Sequence, residues 1–323
     1  MNNMIINSND IDIIDDYEVQ TPLIPVHIVP GGKPEHIPHI NRHHVQVISE
    51  LADGGQAVVY KASLFRPTPM TVALKTFNNI RDYRAELNIH LSLNHPHIIK
   101  LLGSTELGAK GSLILALATR GTLQDYLDDF KGPLRTQKKS VQYANDLTQG
   151  VYYLHSQRVL HGDIKPLNTL IMENGSLVIN DFGFSKRIRY GCDEVVIKEK
   201  IGTTHYRPAE GYPDIGNSRY TLGYDIYALG WILYLLTTDN DVDPYNDEHK
   251  YASERLHKSH KLPTIPRTAS ITLATLILSC MAKNPKERPT ALQVLEVVGQ
   301  ENIVFRPKAR PSPTRQLGGC PLM

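Results

Sequence analysis

The stretch HGDIKPLN, residues 161–168, gathers a histidine, an aspartate, a lysine and an asparagine within eight positions, with a proline stiffening its middle. Residues of these types serve phosphoryl transfer, which needs the nucleotide phosphates held, their charge neutralised by metal and lysine, and the accepting hydroxyl aligned. Candidates for the other tasks lie upstream. The stretch LADGGQAVVYKA, Leu51 to Ala62, places a glycine-containing turn between two apolar runs, where backbone N–H groups can approach phosphate oxygens. Lys75 in VALK is a lone lysine in an apolar run, and a buried ammonium is costly unless paired. Glu86, in the next segment, is its natural partner.

These residues need elements to position them. The runs VQVISEL, AVVYKASL and MTVALKTF are rich in β-branched residues and separated by turn-forming stretches, which predicts strands. IRDYRAELNIHLSLN interrupts them with a helical pattern. Beyond residue 120 helices dominate: in SVQYANDLTQGVYYLH, Val141, Ala144, Leu147, Val151 and Leu154 recur at three- and four-residue steps. A β-rich part followed by a helix-rich part predicts two lobes with a cleft between them.

The 323 residues, 41% of them hydrophobic, are enough for one large domain or two small lobes. A net charge of +2 gives no field that argues for nucleic acid as partner. Cys192, Cys280 and Cys320 form no metal-type pair, which predicts a reducing, cytoplasmic compartment. The start, MNNMIINSNDIDIIDD, is acidic and lacks the pattern of a secretory signal. The apolar runs around YALGWILYLL and ITLATLILSCM fall short of the roughly 18 residues a bilayer-spanning helix needs. Residues 1–43 show no period and are expected to be a poorly ordered arm. His36, His39, His43 and His44 at its end and just beyond lack a cysteine or carboxylate at ligand spacing, so a solvated segment is expected rather than a metal site.

Eight motifs in order resemble those of the eukaryotic-type protein kinases over roughly residues 45–300. The pattern G-x-G-x-x-G-x-V falls on Ala52, Gly54, Ala57 and Val59; VALK resembles V-A-I-K; Glu86 lies nine residues before HPHIIKLLG. HGDIKPLN resembles H-R-D-L-K-P-x-N, and DFG stands at Asp181 to Gly183. GTTHYRPAE resembles G-T-x-x-Y-x-A-P-E, GYDIYALG resembles the aspartate-bearing long helix, and NPKERPT carries Arg288. The resemblance implies an α+β, two-lobed kinase fold, with a small β-rich N-lobe holding one helix at about 44–118 and a larger helical C-lobe at about 119–300.

It also implies roles. Asp163 would accept the substrate hydroxyl's proton and Lys165 would stand beside the γ-phosphate of ATP. Asn168 and Asp181 would hold Mg2+ through hard oxygens, while Lys75 would hold the α- and β-phosphates with Glu86 fixing its direction. The nucleotide site would be lined by Leu51, Ala52, Asp53, Gly54, Gly55, Gln56, Ala57, Val58, Val59 and Ala73. Leu115 would be its gatekeeper and Ala116 to Ala118 the hinge beside adenine. Glu210 and Arg288 would form a buried ion pair. Lys165 and Thr203 match the serine/threonine branch, so protein serines and threonines are the expected acceptors.

Three departures stand out. Ala52 and Ala57 replace glycines of the phosphate-binding turn, and PAE replaces A-P-E. Gly162 replaces the arginine of H-R-D, which in the family usually pairs with an activation-loop phosphate. Gly162 has no charge to offer, so its effect is expected on regulation and not on transfer; Ser185 and Tyr190 are the obvious acceptors in the loop. The alternatives are a pseudokinase or a nucleotide-sensing scaffold. The chain ends in CPLM, which fits C-a-a-X with Cys320 as a farnesyl acceptor. With Arg306, Lys308, Arg310 and Arg315 just upstream, residues 301–323 form a basic tail expected to seat the protein on the anionic cytoplasmic face of a membrane.

Overall fold

A computed structural model describes residues 37–107, 110–128, 136–212, 218–237, 262–263, 265–266, 269–300 and 303–305. The three predicted strands join two more in one five-stranded antiparallel sheet: β1 (Val45–Asp53), β2 (Ala57–Leu64), β3 (Met70–Phe77), β4 (Leu101–Leu107) and β5 (Lys110–Ala116), in the order β1-β2-β3-β5-β4. Alternation along β3 sorts its side chains between two faces. Val72 and Leu74 join a cluster with Ile40, Val45, Ala62, Leu64 and Ile114, whereas Ala73 and Phe77 belong to the main core. Lys75 follows the register of that second pair.

Helix α1 (Ile80–His90) is started by Asn79, whose side chain accepts from the Asp82 N–H at 2.9 Å. It buries Tyr83, Glu86 and His90, three- and four-residue steps that put Glu86 on the buried stripe. Residues before β1 also pack on the sheet. Ile40 is buried and donates its N–H to the Ser104 carbonyl at 2.8 Å, and His39 bridges to Ser104. The end of the expected arm is therefore tied to β4, a pairing with a residue far along the chain that local periodicity does not carry.

Among the described residues after β5 the longest elements are helices, which with the sheet makes the fold α+β: α2 (Leu123–Asp128), α3 (Gln137–Ser156), α4 (Gly223–Thr237), α5 (Ile271–Cys280) and α6 (Ala291–Val298). On α3, Ala144, Leu147, Val151 and Leu154 are fully buried, as their spacing predicts, and Val141 packs at the edge of the same core. Helix α4 is apolar all round and buried along nearly its whole length, the pattern of a central helix.

Three two-stranded sheets hold the connections. β6 (Val159–Leu160) pairs with β9 (Lys186–Arg187), β7 (Thr169–Ile171) with β8 (Leu177–Ile179), and β10 (Glu194–Ile197) with β11 (Ser218–Thr221). Residues 161–168 thus lie between two anchored strands, and 181–183 follow a third with one residue, Asn180, between.

Candidate active site

Lys75 on β3 is the centre of a three-residue ionic cluster. Its Nζ lies 2.7 Å from both carboxylate oxygens of Glu86 and donates to Asp181 Oδ1 at 2.8 Å. Burial would lower the ammonium's pKa, but the two carboxylates outweigh it and hold the pKa raised. Burial would raise Asp181, but the Lys75 charge outweighs it and holds that carboxyl below its usual range. Lys75 and Glu86 are buried, while the Asp181 side chain is 37% exposed and so faces the open cleft. Asp181 sits at φ 68°, a left-handed conformation that aspartate tolerates better than most residues.

The loop 161–168 is suspended from α4. Asp225, fully buried, accepts from the N–H of His161 at 2.8 Å and of Gly162 at 2.9 Å, and lies 3.1 Å from His155 Nε2. Phe182 packs edge-on against the His161 ring and tilted against the His90 ring, with centroids 5.3 and 4.9 Å apart, linking this loop to α1. Burial pushes His90 down to about 4, so it packs there as a neutral ring.

Asp163 stands in a closed hydrogen-bonded set. Oδ1 accepts from Thr203 Oγ1 at 2.8 Å; Oδ2 accepts from Asn168 Nδ2 at 2.9 Å and lies 2.8 Å from Lys165 Nζ, which also donates to Thr203 at 2.8 Å. Thr203 entered the sequence reading only as a mark of acceptor preference; here it bridges the base and the lysine from 40 residues away. With its amide nitrogen on Asp163, Asn168 keeps Oδ1, and Asp181 keeps Oδ2, as hard oxygens. Among the described residues no cluster of three or more His, Cys, Asp or Glu is built for a metal. Two oxygens alone suit Mg2+, which usually takes one or two protein ligands and completes its shell with phosphate and water.

Across the cleft, the turn between β1 and β2 is closed by the Gly54 N–H donating to the Ala57 carbonyl at 3.1 Å. Leu51, Ala52 and Asp53 end β1, Gly54, Gly55 and Gln56 form the turn, and Ala57, Val58 and Val59 begin β2, with Val59 paired to Lys75. Ala73 pairs with Leu115, and Ala116 ends β5 two residues before Ala118. The expected nucleotide-lining residues therefore fall on one sheet and its exit.

Gly162 adopts φ 81°, and a Cβ there would stand 3.0 Å from the Phe184 carbonyl and 3.1 Å from Ile201 Cδ1. A side chain would meet both backbone strain and crowding. Facing it, a Cβ on Gly202 would lie 2.5 Å from the Gly162 carbonyl. Of the two loop acceptors, Ser185 is buried with its hydroxyl donating to the His161 carbonyl at 3.0 Å, while Tyr190 is exposed. Glu210 and Arg288 form the expected pair, bidentate at 2.5 and 3.0 Å. Cys320 and the basic tail lie outside the described residues, among which no helix is long and apolar enough to cross a membrane.

The protein kinase domain family matches residues 45–298. A probable serine/threonine-protein kinase of Dictyostelium discoideum is 28% identical over 80% of this chain and 19% of its own length. Mitogen-activated protein kinase kinase kinase 1 of Arabidopsis thaliana is 30% identical over 67% of this chain and 34% of its own length. The serine/threonine-protein kinase-transforming protein mos of Moloney murine sarcoma virus is 30% identical over 78% of this chain and 77% of its own length. The chain thus spans about a fifth and a third of the first two relatives.

Proposed function

The chain belongs to the protein kinase family, and from that premise we propose that it transfers the γ-phosphate of Mg-ATP to serine or threonine hydroxyls of protein substrates. The observation that carries this reading is the pair of sets Glu86–Lys75–Asp181 and Asp163–Lys165–Asn168–Thr203, whose segments meet where the Asn180 N–H donates to the Asn168 carbonyl at 2.9 Å. When bound, Mg-ATP supplies the phosphoryl group and the divalent charge. Lys75, oriented by Glu86, would hold the α- and β-phosphates, and Asn168 and Asp181 would hold the metal. Asp163 takes the proton of the acceptor hydroxyl, with Thr203 and Asn168 fixing the direction of its carboxylate. Lys165, next to Asp163, stabilises charge on the transferred group. The pseudokinase and scaffold alternatives leave the retention of Lys75, Glu86, Asp163, Lys165 and Asp181 unexplained.

Purified protein incubated with radiolabelled ATP and a generic basic protein tests the proposal. Phosphoserine or phosphothreonine in the product supports it; label in phosphotyrosine alone, or no transfer, overturns it.

Transfer is expected to be independent of activation-loop phosphorylation. Gly162 supplies no cation, Ser185 is buried, and the loop is already paired as β9 and β10. Phosphatase-treated protein should keep its first-turnover rate. A tenfold drop, about 1.4 kcal/mol, would contradict this.

The membrane placement is likewise a proposal, supported by CPLM and the basic residues before it. Protein expressed in eukaryotic cells should carry a prenyl group on Cys320 by intact-mass spectrometry. An unmodified cysteine would sink the idea.

A further inference from the structure

Among the described residues two that are not glycine have positive φ, Asp181 at 68° and Arg158 at 57°. Asp181 belongs to the cleft; Arg158 does not. It follows Gln157, the C-cap of α3, at the position where a chain leaving a helix turns left-handed and where glycine is common. An arginine there bears a conformational cost that glycine avoids.

Its side chain is committed to the segment after Asp181. Nε donates to the Ile188 carbonyl at 3.3 Å, and Nη2 donates to the carbonyls of Arg189, at 3.1 Å, and of Cys192. The guanidinium also lies 5.6 Å from the Tyr190 ring centroid. One planar fork thus gathers the turn 188–192 by its backbone. The Ile188 N–H donates back to the Arg158 carbonyl at 2.9 Å. From the other direction, Arg187 donates to the Gln157 carbonyl at 2.9 Å and to Ser92 Oγ.

Beyond the turn the segment pairs as β10 with β11 and buries Ile197 and Ile201 with Leu160, Tyr220 and Tyr224. It then reaches Gly202, packed on Gly162, and Thr203, bonded to Asp163. The turn held by Arg158 is therefore the fixed point that follows β9 and precedes β10 on the path from Asp181 to the base.

We propose that Arg158 is the positioning residue of the activation segment: it holds the unmodified turn 188–192 by its carbonyls and so keeps Thr203 on Asp163, where Gly162 offers no cation for a phosphate. This rests on the kinase reading above. Lysine cannot substitute, because a point-charge ammonium lacks the planar fork.

The experiment compares full-chain Arg158→Gly and Arg158→Lys with the parent. In Arg158→Gly, backbone amides of 188–197 should exchange at least about tenfold faster, because their local opening no longer breaks the clamp. Its kcat/KM for a serine peptide should fall about tenfold, while KM for ATP stays within about twofold because Lys75, Glu86 and the sheet are untouched. Its unfolding temperature should not fall, since glycine relieves the positive φ. Arg158→Lys should lose peptide activity equally without that relief. Unchanged exchange and unchanged peptide kinetics in Arg158→Gly would overturn the assignment, as would a loss of activity that merely tracks a lowered unfolding temperature. If the parent transfers no phosphate, the kinase reading falls, and the exchange measurement still decides the clamp.

Discussion

Asp163→Asn and Lys75→Met will each abolish measurable transfer, by different routes. Asp163→Asn keeps the shape of the side chain and an oxygen for Thr203, but its amide cannot take the hydroxyl proton. General-base help is typically worth about 10²–10⁴-fold, so kcat should fall by at least about 10²-fold, near 2.7 kcal/mol, with little change in KM for ATP. The fold should survive, because only the Lys165 and Asn168 contacts to Oδ2 are weakened.

Lys75→Met removes the cation between two carboxylates. Transfer is lost because nothing holds the phosphates, and Glu86, 2% exposed, is left buried without its partner. Removing one member of a buried pair costs about 3–5 kcal/mol, so this variant should also unfold at lower temperature. The deficit should shrink in acid. Burial and the Asp181 charge already raise Glu86, and loss of Lys75 raises it further. A carboxyl whose folded pKa exceeds its unfolded one is stabilising below the unfolded value and loses that benefit as pH rises through the folded value. Activity within about threefold of the parent in either folded variant, a loss of under 1 kcal/mol, would refute the assignment of these residues.

Asp225→Ala is expected to be the most destabilising single change outside the ionic cluster. It strips the acceptor from the His161 and Gly162 N–H groups and the partner from His155, all in a site with no water access at Asp225. Each buried donor left unsatisfied costs about 1–3 kcal/mol, giving a total of about 2–6 kcal/mol for the two N–H groups. In a domain of this size that lowers the unfolding temperature by roughly 5–15 °C. Asp225→Asn should fall between, because its one carbonyl oxygen serves only part of the set and its amide faces another donor. Differential scanning calorimetry measures both. A shift under 1 °C for the alanine variant, with kcat preserved, would mean that the loop does not hang from α4.

The candidate site was legible because its residues sit in short motifs whose order along the chain is fixed. Lys75 in VALK, Asp163 and Asn168 in HGDIKPLN, and Asp181 in DFG each declare themselves within a few positions. The amphipathic stripe of α3 and the strands around Lys75 were legible for a related reason, since the periods of 3.6 and 2 are local. What escaped were contacts between segments far apart. Ile40 on Ser104, Thr203 on Asp163 and Arg158 on the turn 188–192 leave no periodic trace. Arg158 in particular looks in sequence like an ordinary surface charge after a helix.

The sequence by itself determined the kind of chemistry, the order of its groups and the α+β class, because charge type and hydrophobic period are properties of neighbouring residues. Only the tertiary structure decided that the Lys75–Glu86 pair also holds Asp181, that Asp225 suspends the loop, and that the activation segment is fastened by Arg158, paired strands and a small apolar cluster. Those outcomes depend on distances across the fold, where burial removes water and a carbonyl or carboxylate must find its donor in the protein.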